Sequence, residues 1–270
     1  MLCRVLPAAA LVFVLIMTCP SKAAGETPLP PSADTAEKAL ESSTRHGEYA
    51  FIPVPGSDVK LKTWVVFPER ADKAPVVVVI HEIFGLSDWI RSVADALAKE
   101  GFIAVAPDLI SGMEGAEDNP REAIGKLSDE ETVKRLDLAL EHGLALPAAN
   151  GKVASIGFCW GGKASFLYAT AQPKLDAAVV YYGTSPETAT LAKIDCPVLG
   201  LYGQMDERVN STIPAAEEEM KRLNRPYEKV ILEGAGHGFL RQQAERDGAN
   251  LKASEQAWAK TIDFLKKHLG

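Results

Sequence analysis

Cys159 stands between two glycines in the run Gly157-Phe158-Cys159-Trp160-Gly161-Gly162, after the apolar Val153–Ile156 and before a helix-like stretch, Lys163–Ala171. A reactive side chain flanked by glycines at a strand-to-helix junction makes a nucleophile elbow, a tight turn that presents the side chain above the end of a sheet. Gly157 and Gly161 suit it because a Cβ at either would meet neighbouring backbone. A thiol attacks carbonyls as its thiolate, and a helix N-terminus with an imidazole beside the sulfur favours that form. His237, in Gly234-Ala235-Gly236-His237-Gly238, is placed to supply the imidazole. Asp206, after Gly203-Gln204-Met205, would hold its tautomer and stabilise its cation. The backbone N–H groups of Ile83 and Trp160 would bind the oxyanion of an acyl-transfer reaction.

The elements that must carry these residues follow from periodicity. Glu48–Val54 and Val59–Phe67 alternate in polarity around Pro55-Gly56-Ser57-Asp58, which predicts an N-terminal β-hairpin. From Val76 onward strands and helices alternate. Strands are expected at Val76–Ile80, Phe102–Ala106, Val153–Ile156, Ala177–Tyr181, Val198–Tyr202 and Tyr227–Leu232. Helices are expected after the cap Ser87, after a Ser128–Glu131 capping box with Val133, Leu136, Leu140 and Leu144 on one stripe, after Cys159, at Ile213–Leu223 and at Leu251–Leu269. The fold class is α/β: one domain over 46–270, with a mostly parallel sheet and helices on both faces. Cys159, Asp206, His237 and Glu82 then all fall beyond carboxyl ends of strands, where open α/β sheets bind ligands. Nucleophile, acid and histidine occur in the chain order of α/β-hydrolases.

Residues 1–24 read as a secretory signal peptide, with Arg4 before an apolar Val5–Thr18 and a small-residue cleavage pattern, Ser21-Lys22-Ala23. An exported protein, periplasmic or secreted, is the expectation; lipid anchoring at Cys19 is the lesser alternative. Residues 25–45, rich in Pro, Ser, Ala and Glu, read as a linker. Nothing after residue 24 is long and apolar enough for a membrane span. The net charge of −7 becomes more negative when Arg4 and Lys22 leave, which argues against nucleic acid as a partner. Of the two remaining cysteines, Cys196 reads as a core residue, at the other edge of the sheet from Cys159, too far for a disulfide. With no Cys-x-x-Cys, a thiol-redox protein is disfavoured. Tyr181, Tyr182 and Phe239 read as packing aromatics at strand ends.

The chain resembles the dienelactone hydrolase family. The resemblance is carried by His81-Glu82-Ile83-Phe84-Gly85, Pro107-Asp108-Leu109, Gly157-Phe158-Cys159-Trp160-Gly161-Gly162, Gly203-Gln204-Met205-Asp206 and Gly236-His237-Gly238-Phe239, and it covers about residues 45–268. It implies a Cys159–His237–Asp206 triad, no metal or organic cofactor, and a small-molecule ester or lactone as substrate. It also implies that Glu82 contacts the thiol in the resting enzyme and takes its proton when substrate binds. Arg241 fits one of the arginines that clamp a substrate carboxylate in this family. The loop 110–118 departs from the pattern: it offers Glu114, Glu117 and Asp118 but no arginine or tyrosine, and is expected to repel a carboxylated substrate. A thioesterase or general carboxylesterase, and a non-catalytic binding relative, are the alternatives.

Overall fold

The computed structural model describes residues 28–270. A short helix α1 (Ala36–Glu41) leads into strands β1 (Gly47–Pro53) and β2 (Lys60–Val66), which form the expected antiparallel hairpin, with Gly47 opposite Val66 and Pro53 opposite Lys60. Then follow β3 (Ala74–Ile80), α2 (Asp88–Lys99), β4 (Ile103–Pro107), α3 (Pro120–Lys126), α4 (Asp129–Ala145), β5 (Ala149–Phe158), α5 (Trp160–Ala171) and β6 (Ala177–Tyr181). The chain continues through a 3₁₀ turn (Thr188–Lys193) to β7 (Val198–Gly203), α6 (Glu207–Asn210), α7 (Ile213–Arg222) and β8 (Tyr227–Leu232). A second 3₁₀ turn (Arg246–Gly248) precedes α8 (Ala249–Leu269). The eight strands form one sheet in the order β1-β2-β4-β3-β5-β6-β7-β8, antiparallel from β1 to β4 and parallel from β4 to β8.

Every residue of β3 is buried, as an unbroken β-branched run requires when helices cover both faces. Val77 and Val79 join one core with residues of α2 and α8, whereas Val76, Val78 and Ile80 join the other with α4, α5 and α7. That division is the two-residue period of a strand made visible. Ser87 caps α2 by accepting from the Ile90 N–H. In α4, Ser128 accepts from Glu131 N–H at 3.1 Å, but the Glu131 carboxylate turns to Arg135 Nε at 2.9 Å and does not complete the box. The buried stripe of α4 also differs from the expected one. Leu136 and Leu140 are buried, Val133 and Leu144 only partly, and Arg135 lies inside because its Nη1 donates to the carbonyls of Leu109 and Ser111, each at 2.9 Å.

The segment expected as a linker packs on the body from residue 28 onward. Trp89 Nε1 donates to Pro31 O at 3.1 Å, Ala33 N–H to Arg241 O at 3.0 Å, and Ala36 is fully buried. The expected signal peptide and Cys19 lie outside the described residues. Among the described residues no helix is long and apolar enough to cross a membrane.

Candidate active site

Strand β5 ends at Phe158, and Cys159 caps α5 with φ 56° and ψ −115°. A non-glycine residue in the left-handed region stores strain, on the order of 1–3 kcal/mol, which the surroundings must hold in place. Here the Cys159 N–H donates to Tyr181 O at 3.1 Å. The flanking glycines admit no alternative: a Cβ on Gly157 would sit 1.9 Å from Gly161 O, and one on Gly161 would sit 2.4 Å from both Ile80 O and His81 O. The backbones of β3 and α5 touch at this point, so the sulfur is held against the loop that follows β3.

Asp206 and His237 reach the same point from β7 and β8. Asp206 caps α6, its Oδ1 accepting from Val209 N–H at 3.4 Å, which leaves Oδ2 for His237 Nδ1 at 2.5 Å. His237 Nε2 lies 3.0 Å from Cys159 Sγ. Three residues from three loops thus form one continuous hydrogen-bonded line. Burial disfavours the imidazolium, but the bonds to Asp206 and Cys159 and the negative charge on those two groups outweigh it and push His237 up to about 9.

Glu82 enters the same cavity, of about 600 Å³, which is also lined by Ile83, Phe84, Cys159, Trp160, His237 and Arg241. It is 4% exposed, and burial, opposed by the charges of Arg241 and His237, pushes its carboxyl up to about 7. Its partner is Arg241, whose Nε lies 3.3 Å from Oε2 and whose guanidinium stacks over the Phe84 ring at 4.5 Å. Among the described residues no hydrogen bond joins Glu82 to the thiol: Sγ bonds His237, and the aromatic-backed guanidinium gives Glu82 a cation. Among the described residues, neither Ile83 N–H nor Trp160 N–H has a hydrogen-bond partner, so both are free to donate into the cavity.

His81 fixes this loop, a role the sequence did not disclose. It is fully buried; Nδ1 donates to Glu82 O at 2.7 Å, and Nε2 accepts from Leu109 N–H at 3.0 Å. Burial lowers its pKa, so the ring is the neutral tautomer those two bonds need, and it stacks on Trp160 at 5.6 Å.

The acids of loop 110–118 do not line the cavity at Cys159, although Ile110, Met113 and Ala116 of the same loop cluster with Ile83 and Trp160. That loop follows β4, and β3 stands between β4 and β5, so Glu114, Glu117 and Asp118 line a separate groove of about 520 Å³ with Asp108 and Lys62. Phe84 forms a wall of both. The cavity at Cys159 is basic, with Arg121, Lys163 and Arg208 joining Arg241. Lys163 pairs with Asp129 at 3.1 Å, whereas Arg121 and Arg208 have no ion-pair partner among the described residues. Cys196 is buried and free, its thiol pushed up to about 12 by burial.

A family model described as "Dienelactone hydrolase family" matches residues 61–269. A "Putative carboxymethylenebutenolidase" of Yersinia pestis is 30% identical over 248 residues, 85% of this chain and 92% of that protein. One of the same description from Saccharolobus solfataricus is 28% identical, covering 77% of this chain and 94% of that protein. The crystal structure of a "Putative Dienelactone Hydrolase" from Klebsiella pneumoniae superposes with a TM-score of 0.69 at 27% identity, over 82% of this chain and 98% of that one. The Pyrococcus horikoshii acylaminoacyl peptidase shares the fold at 16% identity, with a TM-score of 0.70 over 87% of this chain and 43% of that one.

Proposed function

The chain belongs to the dienelactone hydrolase family, and from that premise we propose that it hydrolyses a small ester or lactone bearing an anionic group, through an acyl-enzyme on Cys159. The observation that carries this reading is the line Sγ–Nε2 at 3.0 Å and Nδ1–Oδ2 at 2.5 Å, opening on a cavity with two unpartnered N–H donors.

The protonation states assign the roles. Beside the charged sulfur the imidazole, near 9, holds its proton at neutral pH and is kept as the acid for the leaving group. Glu82, near 7, is the remaining base in the cavity. A substrate anion drawn to Arg241 competes with Glu82 for the guanidinium and frees the carboxylate to turn to the thiol. The S–H bond then breaks, the proton passes to Glu82, and the thiolate electron pair attacks the carbonyl carbon. The oxyanion forms against Ile83 and Trp160 N–H. As the C–O bond breaks, His237 gives its proton to the leaving oxygen. The now neutral ring takes a proton from water, whose oxygen attacks the thioester; collapse releases the acid and the thiolate, which recovers its proton from Glu82.

Replacing Cys159 by Ala should abolish turnover of a chromogenic ester with the fold intact, and mass spectrometry of the native protein should trap an acyl adduct on Cys159. Unchanged turnover in Cys159→Ala would end this reading. Export remains part of the proposal: N-terminal sequencing of protein from the producing cell should begin near residue 24, and an intact Met1 would refute it.

A further inference from the structure

Tyr182 is the first residue after β6, and it does two things that packing does not require. Its backbone has φ 40°, in the left-handed region. The following Gly183 must pass against α5, where a Cβ would lie 2.2 Å from Gly162 C, and the Tyr182 N–H is held by Leu201 O at 2.9 Å. Side chains alternate along a strand, yet the turned backbone puts Tyr181 and Tyr182 into the same apolar cluster. Secondly, Tyr182 is fully buried and its hydroxyl has no hydrogen-bond partner. Its neighbour Tyr181 does have one, Thr261 Oγ1 at 2.7 Å.

A buried hydroxyl without a partner is destabilising, and a phenylalanine would fill the same space. The rings around Tyr182 include Phe158 and Phe239, so the cage itself is apolar. The ring also meets His237 edge-on at 5.2 Å. Besides burial, the charges that weigh on the hydroxyl are Glu82, then Cys159, then Tyr181, all holding its proton on, against Arg241. It is therefore a permanent donor at the edge of the site. Glu82 has an open acceptor in the cavity that His237 also lines: Oε2 is buried without a hydrogen bond, its contact with Arg241 being one of charge alone.

We propose that Tyr182 is a positioning residue: its hydroxyl donates to the Glu82 carboxylate when Arg241 is drawn to the substrate anion, and holds that carboxylate beside the thiol. This rests on the hydrolytic reading above. It explains how a buried carboxylate survives the loss of its cation without drifting from the sulfur or being neutralised before it can act.

Tyr182→Phe in the full-length chain is the test, read as the pH profile of kcat on a carboxylated ester. Removing an idle hydroxyl leaves the thermal midpoint equal or higher and the profile unmoved. Removing the donor should lower kcat roughly ten- to hundredfold and move the acid limb upward from about 7, because the carboxylate becomes harder to ionise. The alkaline limb near 9 should stay, since His237 keeps Asp206 and Cys159. In a Glu82→Gln background, Tyr182→Phe should cost less than threefold further, as two residues acting as one unit require. An unmoved acid limb, or full additivity with Glu82→Gln, would overturn the inference. If Cys159→Ala retained turnover, the hydrolytic reading itself would fall; Tyr182→Phe without effect beside a dead Cys159→Ala would sink only the role of Tyr182.

Discussion

The two grooves that meet at Phe84 are alike in size, about 600 and 520 Å³, and opposite in charge. One holds Cys159, His237 and four cationic side chains around a single buried acid; the other holds Asp108, Glu114, Glu117 and Asp118 around Lys62. Their difference comes from strand order. The loops after β3 and β5 meet because β3 and β5 are neighbours, with Ile80 opposite Gly157. The loop after β4 is one strand further out, and its acids line only the second groove. Charge read along a sequence therefore says what a loop carries, and only the sheet order says which groove receives it.

Glu82, the acid on the basic side, should give the largest effect when removed. Its carboxyl is raised from 4.5 to about 7, so between those values the folded chain binds more protons than the unfolded one, and stability falls as pH rises through the window. The full shift corresponds to about 3 kcal/mol. Glu82→Gln should remove that loss: denaturant unfolding at pH 5 and pH 8 should show a flatter dependence than wild type and a variant more stable at pH 8. Activity should fall at least a hundredfold, since the base is gone. A variant no more stable at pH 8 would mean that Arg241 fully compensates the buried charge.

Arg241 comes next. Its contact with a substrate anion is charge-assisted, worth about 1.5–3 kcal/mol, so Arg241→Ala should lower kcat/KM for a carboxylated ester roughly ten- to hundredfold while a neutral ester of the same shape changes little. Equal losses on both esters would make Arg241 a structural partner of Glu82 and remove the case for an anionic substrate. Arg121→Gln and Arg208→Gln should follow in the same direction by several-fold each, and more at low salt, because both side chains are exposed and screened.

How much of this the sequence disclosed depends on the kind of signal. Cys159 and Asp206 each follow a buried apolar strand, His237 follows the half-exposed edge strand β8, and β6 and β8 have the predicted bounds, Ala177–Tyr181 and Tyr227–Leu232, because β-branched and aromatic residues between turn residues specify strands locally. Helix α3 escaped notice: it has seven residues after an acidic loop, with only Ala123 and Ile124 buried. Arg121 went unnoticed with it. Arg135 could not be recognised as buried, since its reason is two carbonyls on a distant loop. Tyr182 reads as packing, which its ring does and its hydroxyl does not; an unmade hydrogen bond leaves no trace in a sequence. Nor does the turn of Glu82 toward Arg241, which depends on Phe84 presenting its ring to the guanidinium.

The smallest effect is the one that tests the wall. Glu117 and Asp118 are exposed and line only the acidic groove. At physiological salt a charge is screened within about 8 Å, and Phe84 stands between them and the cavity of Cys159. The double replacement Glu117→Lys with Asp118→Lys reverses two charges, and if the grooves are separate it should change the ratio of kcat/KM for carboxylated over neutral ester less than about twofold at that salt. Lowering the ionic strength should enlarge the change modestly and equally with either lysine alone, as long-range steering does. A tenfold rise in the ratio at physiological salt would mean that the substrate anion passes the loop on its way to the thiol. Phe84 would then be a gate in a single site, and the repulsion first read from the loop's acids would operate after all.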